Sequence, residues 1–264
     1  EDTFLGGSKK HPFVMKCRTA AKRDGTLTAM DVEVLADAGA YRTNTAIITM
    51  GAMVLAQGSY NVENVRVAVR GAVTNRPFSD AMRGVGCNQI TFAVEGQIEA
   101  VARALGMDPL EVRRKNYLGK GDPLPVGQAI ENHVDLDRLT REVEKALGDK
   151  TPAPPGKRVG RGFAANMTGY GRPFSRSEGF VGMDVDGSAL IRIGVSDLGA
   201  GQTSTAAQLV AGALGLSLEN VSVIHSDSGT TPLVGYTASS RQTLMSGSAL
   251  LDAAGTIRRS LVDA

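Results

Sequence analysis

Apolar and polar residues alternate along two separate parts of the chain, and in each part helical spacing takes over afterwards. Residues 11–41, HPFVMKCRTAAKRDGTLTAMDVEVLADAGAY, predict two strands around a turn at Asp24 and Gly25. Asp-Gly suits such a hairpin because its central residues must accept positive φ. NTAIITMGAMVLAQG then reads as a helix and NVRVAVRGAVTN as a strand. Ile90, Val94, Ile98, Val101 and Leu105 fall on one face of a following helix. Gly106 is expected to end it, and Asp108 with Pro109 opens another as N-cap and first helical residue.

The second half runs through the same order. EGFVGMDVDGSALIRIGVSD predicts a hairpin turning at Asp186 and Gly187, TSTAAQLVAGALGL a helix, NVSVIHSD a strand, and TLMSGSALLDAAGTIRRSL a closing helix. Local text recurs as well, VENVRVAV at 62–69 and LENVSVIH at 218–225. Between the halves lies GDKTPAPPGKRVGRG, rich in proline, glycine and cations, the composition of a linker. The expected organisation is α+β: a first lobe over 1–148 with a helical tail, a linker over 149–162, and a second lobe over 163–264. Each lobe is read as ββαβα with a mixed or antiparallel sheet. This makes Arg83 and Arg241 counterparts, each on the step from third strand to last helix; chance similarity between two α+β lobes is the competing reading.

Composition narrows the possible partners. A net charge of +2 and 5% aromatic residues give neither the cationic surface nor the stacking platforms of a nucleic-acid binder. The longest apolar stretch, TAIITMGAMVLAQG, is too short and too broken by glycine to span a bilayer. Cys17 and Cys87 form no metal spacing and suit a reducing, cytoplasmic compartment. His11, His133 and His225 are scattered without ligand spacing, so no protein-metal ligands are assigned. Glu95 and Glu99, one turn apart, read as solvated or ion-paired helix glutamates, and Cys87 as a small packed thiol or a reactive one at a helix start.

Three loops carry candidate chemistry, each between a strand and a helix: SDAMRGVGCNQ at 79–89, SDLGAGQTST at 196–205 and GYTASSRQT at 235–243. Glycines permit close backbone approach, and a helix start offers unpaired N–H groups. Arg83 beside Gly84 and Gly86 suits an anion or an oxygen-rich ligand; the plainer reading is a tight turn bearing a solvated arginine. None of the loops has Walker or dinucleotide spacing, so three of them together suit a large ligand with phosphate and many heteroatoms.

The stretch NRPFSDAMRGVGCNQITFAVEGQIEAVARALGMDPLEVRRKNYL resembles the molybdopterin-binding, large catalytic subunit of the xanthine dehydrogenase and aldehyde oxidase family. It supplies that family's Ala-x-Arg-Gly-x-Gly loop as Ala81, Arg83, Gly84 and Gly86, then Gln89, Gly106, Asp108, Pro109, Arg113 and Asn116. GVSDLGAGQTSTAAQLVAGALGLSLENVSVIHSDSGTTP and TASSRQTLMSGSAL resemble its later loops, in the same order. The resemblance implies a molybdenum–pyranopterin cofactor, molybdopterin or its cytosine dinucleotide form, used to oxidise an aldehyde or N-heteroaromatic carbon with water-derived oxygen. It implies iron–sulfur clusters and FAD on partner domains or subunits, besides the rest of the molybdenum subunit. Met82, Arg83 and Gly84 would lie beside metal and substrate, with Arg83 the catalytic cation. Gly199, Ala200 and Gly201 would present backbone to the pterin and its phosphate, and Ser239, Ser240, Arg241 and Gln242 would close its other side.

The departures are informative. Met82 and Val85 replace two loop aromatics, Ala200 replaces a glutamine, and Cys87 replaces a glycine. Gly84 directly after the loop arginine argues against the carbon-monoxide-oxidising branch, and Gly51 or Ala52 stands where purine oxidisers carry a second arginine, which disfavours xanthine. An upstream glycine loop and a late glutamate base are not recognisable, so the chain is expected to be an internal piece of a catalytic subunit, or one of two complementary chains, inactive alone. A non-catalytic binding or assembly module that kept the fold is the rival reading.

Overall fold

A computed structural model describes residues 1–148, 152–168 and 176–263. The chain divides into two compact units, Glu1–Thr168 and Gly169–Ala264. Residues 149–151 of the expected linker lie outside the described residues, and 163–168, read from sequence as the start of the second lobe, belong to the first unit. There Phe163 lies 5.7 Å over the Arg113 guanidinium, and Thr91 Oγ1 donates to Asn166 at 2.7 Å.

Unit 1 opens with the short helix α1 (Asp2–Gly6) and a three-stranded sheet in the order β1 (Phe13–Ala21), β2 (Leu27–Gly39), β3 (Asn64–Val73). β1 and β2 form the antiparallel hairpin expected around Asp24-Gly25, with Phe13 opposite Ala36. β3 pairs with β2 in parallel after the crossover helix α2 (Thr45–Val54). Inward positions of the central strand, Met30, Val32, Val34 and Ala36, are at most 3% exposed, and the first three meet Ile90, Val94 and Ile98 of α3 (Cys87–Leu105) in one core. Ala102 completes the buried face of α3, while Val101 and Leu105 sit at its margin.

Gly106 ends α3 in the left-handed conformation, at φ 67°. Asp108 then caps α4 (Pro109–Asn116) by accepting from the Leu110 N–H at 2.6 Å. The Arg113 and Asn116 of the sequence motif are structural staples. Asn116 Nδ2 donates to Gly25 O at 2.8 Å, and its Oδ1 accepts from Leu27 N at 2.8 Å, fastening α4 to the hairpin turn. Arg113, fully buried, grips Glu95 through Nε and Nη2 at 3.0 and 2.9 Å and reaches Glu99 at 2.9 Å. Tyr60 donates its hydroxyl to the same Glu95 at 2.6 Å, and burial together with that carboxylate pushes the phenol's pKa up. The tail helix α5 (Leu136–Leu147) joins through Tyr117 Oη and Thr140 Oγ1, 2.7 Å apart.

Unit 2 repeats the plan on a smaller scale. β4 (Phe180–Met183) and β5 (Ala189–Ile193) are antiparallel, and β6 (Val221–His225) lies parallel to β5 after the crossover helix α6 (Gln202–Leu214). α7 (Gly247–Val262) follows a π-helical turn at Gln242–Ser246. Ile191, Ile193, Val210 and Leu250, each at most 1% exposed, form its core. Both units therefore contain a ββαβα core with the same strand order and directions, and Arg83 and Arg241 occupy the same step, between the third strand and the helix that follows it.

Removing one partner of a buried ion pair leaves the other desolvated and alone. Glu95→Ala should thus lower unfolding free energy by about 3–5 kcal/mol in denaturant titration; a loss under about 1 kcal/mol would show that Arg113 is not held by this pair.

Candidate functional site

Unit 1 presents its candidate loop at the end of β3. Gly84 and Gly86 have φ of 98° and 87°, and between them Val85 is held at 32°, where a branched residue is strained. A side chain at Gly84 would collide with the Asn88 amide, and one at Gly86 with the Ile48 carbonyl. A Cβ on Gly51 of α2 would meet Val85 O at 2.5 Å. These glycines serve packing, letting the loop lie flat on the first turns of α2 and α3. Cys87 is buried there, its Sγ 3.4 Å from Thr168 Oγ1, which bears out the packed thiol.

The loop's backbone is tied from outside. Lys10 Nζ donates to Arg83 O at 2.9 Å, Thr43 Oγ1 to Ser79 O at 2.6 Å, and Asp80 Oδ1 accepts from Ala81 N at 2.6 Å and Asn44 Nδ2 at 2.7 Å. The side chains of Met82 and Arg83 remain exposed, and among the described residues no hydrogen bond or ion pair engages the Arg83 guanidinium. A fixed backbone therefore carries a cation with all its donors available.

Unit 2 brings its two loops together. Thr237 Oγ1 donates to Ser196 O at 2.8 Å, and Gln242 Nε2 to Thr237 Oγ1 at 3.1 Å. Asp197, which sequence reading passed over, organises the first of them. Its Oδ1 accepts from Gly199 N at 2.9 Å and Gly201 N at 3.2 Å, and its Oδ2 from Thr203 N at 3.4 Å. Burial alone would raise this carboxyl's pKa; the backbone donors outweigh it and lower the pKa below the usual carboxylate value. The N–H groups expected to face a phosphate are thus engaged by the loop's own carboxylate. What Gly199 and Gly201 offer outward is bare backbone: at φ 91° and 76°, a Cβ on either would meet nothing within 4 Å.

The second loop carries consecutive strained residues, Ser239 and Ser240 at φ 50° and 56°, immediately before the π-helical turn. Ser240 is exposed and Ser239 half-buried. Arg241 departs from its expected place against a ligand. It is fully buried, and its guanidinium donates to the carbonyls of Val234, Tyr236 and Arg176 and to Ser177 Oγ. Arg83 and Arg241 share a topological position and have opposite surroundings: one faces solvent, the other braces a loop. Gln242 is likewise occupied, its Oε1 accepting from Ser246 Oγ at 2.6 Å. Gln202 beside it lines the same small cavity and has a buried Oε1 without a partner.

Comparison with known proteins decides the family. Models described as molybdopterin cofactor-binding domain match residues 1–117 and 129–264. The chain belongs to the molybdopterin-binding family of xanthine dehydrogenases and aldehyde oxidoreductases. The nicotinate dehydrogenase large molybdopterin subunit of Eubacterium barkeri is 42% identical over 148 residues, 56% of this chain and 35% of that protein. Aldehyde oxidoreductase of Megalodesulfovibrio gigas is 33% identical over 254 residues, 92% of this chain and 28% of that protein. The solved structure of aldehyde oxidoreductase from Desulfovibrio gigas superposes with a TM-score of 0.76 at 29% identity, covering 94% of this chain and 28% of that one. The matches span 28–35% of the length of these relatives.

The molybdopterin-binding assignment agrees with the donor set. Within unit 2, Cβ-free backbone at Gly199 and Gly201, serine hydroxyls at Ser239 and Ser240 and the unpartnered Gln202 Oε1 suit a flat, heteroatom-rich ligand; within unit 1, the open Arg83 guanidinium suits an oxygen-rich one.

The Asp197 contacts fix a pH response. A carboxyl whose folded pKa is depressed stabilises above its unfolded value of about 3.9, and the contribution is lost as pH falls through the folded value. Amide-exchange protection of residues 199–203 should therefore hold from neutral pH to about pH 4 and fall away only below it, and Asp197→Asn should reduce it already at pH 7. Equal protection in the variant at pH 7 would remove Asp197 from this role.

Proposed function

We propose that this chain is part of the catalytic subunit of a molybdenum hydroxylase that oxidises an aldehyde or N-heteroaromatic substrate at carbon with water-derived oxygen. The observation that carries the reading is the exposed, unengaged Arg83 guanidinium on a loop whose backbone is fixed by Lys10, Asp80 and Thr43, within a chain of the molybdopterin-binding family. The cofactor, as molybdopterin or its cytosine dinucleotide, supplies the two-electron chemistry when bound. Met82, Arg83 and Gly84 line its reacting side in this reading. Gly199, Ala200 and Gly201 approach it with backbone, and Ser239 and Ser240 offer hydroxyls. Arg241 and Gln242 act by holding the loop that carries those serines.

Arg83 then orients a substrate carbonyl or carboxylate and stabilises negative charge developing on oxygen, a role that gains strength from a cation fixed before the substrate arrives. The close approach of Gly51 to Val85 O leaves no space for a second arginine at that point of α2, which speaks for substrates other than xanthine. Iron–sulfur and flavin groups on partner domains or subunits would take up the electrons. The free thiols of Cys17 and Cys87 agree with a cytoplasmic setting; among the described residues no helix is long and apolar enough to cross a membrane.

Ala200 favours a second reading, a binding or assembly module without chemistry, because an exposed methyl offers no hydrogen bond where a glutamine is expected. Metal and pterin analysis of the natively assembled protein separates the two: stoichiometric molybdenum with oxidised-pterin fluorescence supports the enzyme, and their absence the module. In the loaded enzyme, Arg83→Ala should lower kcat/KM by about 100-fold or more, the scale of losing one charge-stabilising donor, with molybdenum content unchanged. Loss of the metal would instead make Arg83 a cofactor-retaining residue.

A further inference from the structure

His11 is a buried, titratable side chain that the proposed chemistry does not use. It is 2% exposed and sits in the short segment 9–12, which bonds to the Arg83 loop, β2, α2 and α3. Lys9 pairs across to Ser79, its N–H donating to Phe78 O at 3.3 Å and its carbonyl accepting from Asp80 N at 2.9 Å. Lys10 holds Arg83 O, Gln89 Nε2 of α3 donates to His11 O at 3.1 Å, and Asp37 N of β2 donates to Pro12 O at 2.9 Å. The imidazole makes the remaining link: Nε2 lies 2.8 Å from Thr45 Oγ1, at the first residue of α2.

Its other nitrogen, Nδ1, is buried and has no hydrogen-bond partner. A neutral ring meets this arrangement with a bare lone pair. A second proton would bury a charge beside the N-terminal dipoles of α2, which repel it, with the Asp80 backbone the one group placed to accept from it. The charged groups acting on the ring are Asp80 from the loop and Asp37 from β2; Lys10 of its own segment is engaged with Arg83 O, and the uncharged Gln89 of α3 with the His11 carbonyl. Burial lowers the imidazole pKa and outweighs the opposing backbone hydrogen bond to Asp80 and the charges of Asp80 and Asp37.

We propose that His11 is a positioning residue for Arg83, a neutral tie between segment 9–12 and α2 whose protonation releases the Arg83 loop. This makes acid an intrinsic off-switch of the site, and its meaning for turnover rests on the reading of Arg83 given above. A depressed histidine supports the fold above its unfolded pKa of about 6.5 and stops doing so as pH falls through its folded value. The loop should therefore be closed at neutral pH and loosen in mild acid.

The test follows amide exchange of the full chain by mass spectrometry between pH 4.5 and pH 7.5, about the range that brackets a lowered histidine, with rates corrected for intrinsic chemistry. In the unsubstituted protein the 79–86 segment should lose protection as pH falls below about 6.5 and reach a plateau in mild acid, while the interior of α3 stays protected. His11→Gln, which keeps an amide nitrogen near Nε2 and cannot titrate, should keep the loop protected and abolish the pH step. Thr45→Val, which removes the ring's partner, should loosen the loop already at pH 7. A pH-independent loop, a step that persists in His11→Gln, or a Thr45→Val loop as protected as the parent would each overturn the proposal. No cofactor is needed, so the result stands whether or not molybdenum is found.

Discussion

A backbone that turns sharply onto a helix start exposes N–H and C=O groups that must find partners, and both candidate corners are shaped by how that demand is met. In unit 1 Lys10 takes the Arg83 carbonyl and Asp80 takes the Ala81 N–H. In unit 2 Asp197 takes three N–H groups at the start of α6, and Arg241 gathers carbonyls from separate stretches of chain. Each loop is satisfied by groups of its own unit, so its open side is left with features a ligand could use: an open guanidinium, bare glycine backbone and strained serines. Preorganisation of this kind removes part of the ordering cost from the binding step.

Glycine has two separate uses in these corners. At Gly84, Gly86 and Gly51 the missing side chain lets a loop press onto neighbouring atoms, and any Cβ would displace it. At Gly199 and Gly201 the space beyond the backbone is open, which is what a close-approaching ligand requires. The same residue type thus fixes a loop's position in one unit and clears an approach in the other. Motif matching treats the two alike.

Much of the fold was legible because its signals are local. The Asp24-Gly25 and Asp186-Gly187 hairpins, the Gly106 stop and the Asp108 cap each depend on a few adjacent residues, and the ββαβα order follows from changes of period along the chain. What stayed hidden depends on contacts between distant residues. Nothing near Arg241 distinguishes it from Arg83, yet one is buried among carbonyls and the other is open. The packing of 163–168 against α3 and α4, the bracing of the Arg83 loop by residues 9–12, and the Glu95–Arg113–Tyr60 cluster also join residues far apart in sequence. Asp197 was the one local miss, since an Asp two residues before glycine is a recognisable turn-forming acceptor.

The family settles the kind of ligand, and the geometry describes how the chain prepares for it: strain at Val85, Ser239 and Ser240 is maintained by the surrounding hydrogen bonds and packing. The most direct measurement is a pair of crystal structures of the same protein, one free of cofactor and one loaded. Loops already set by their internal contacts should superpose within about 1 Å at Cα over residues 79–86, 196–203 and 235–243. Loops that are disordered without cofactor and take these conformations only on loading would contradict the central claim that the chain builds its binding corners in advance.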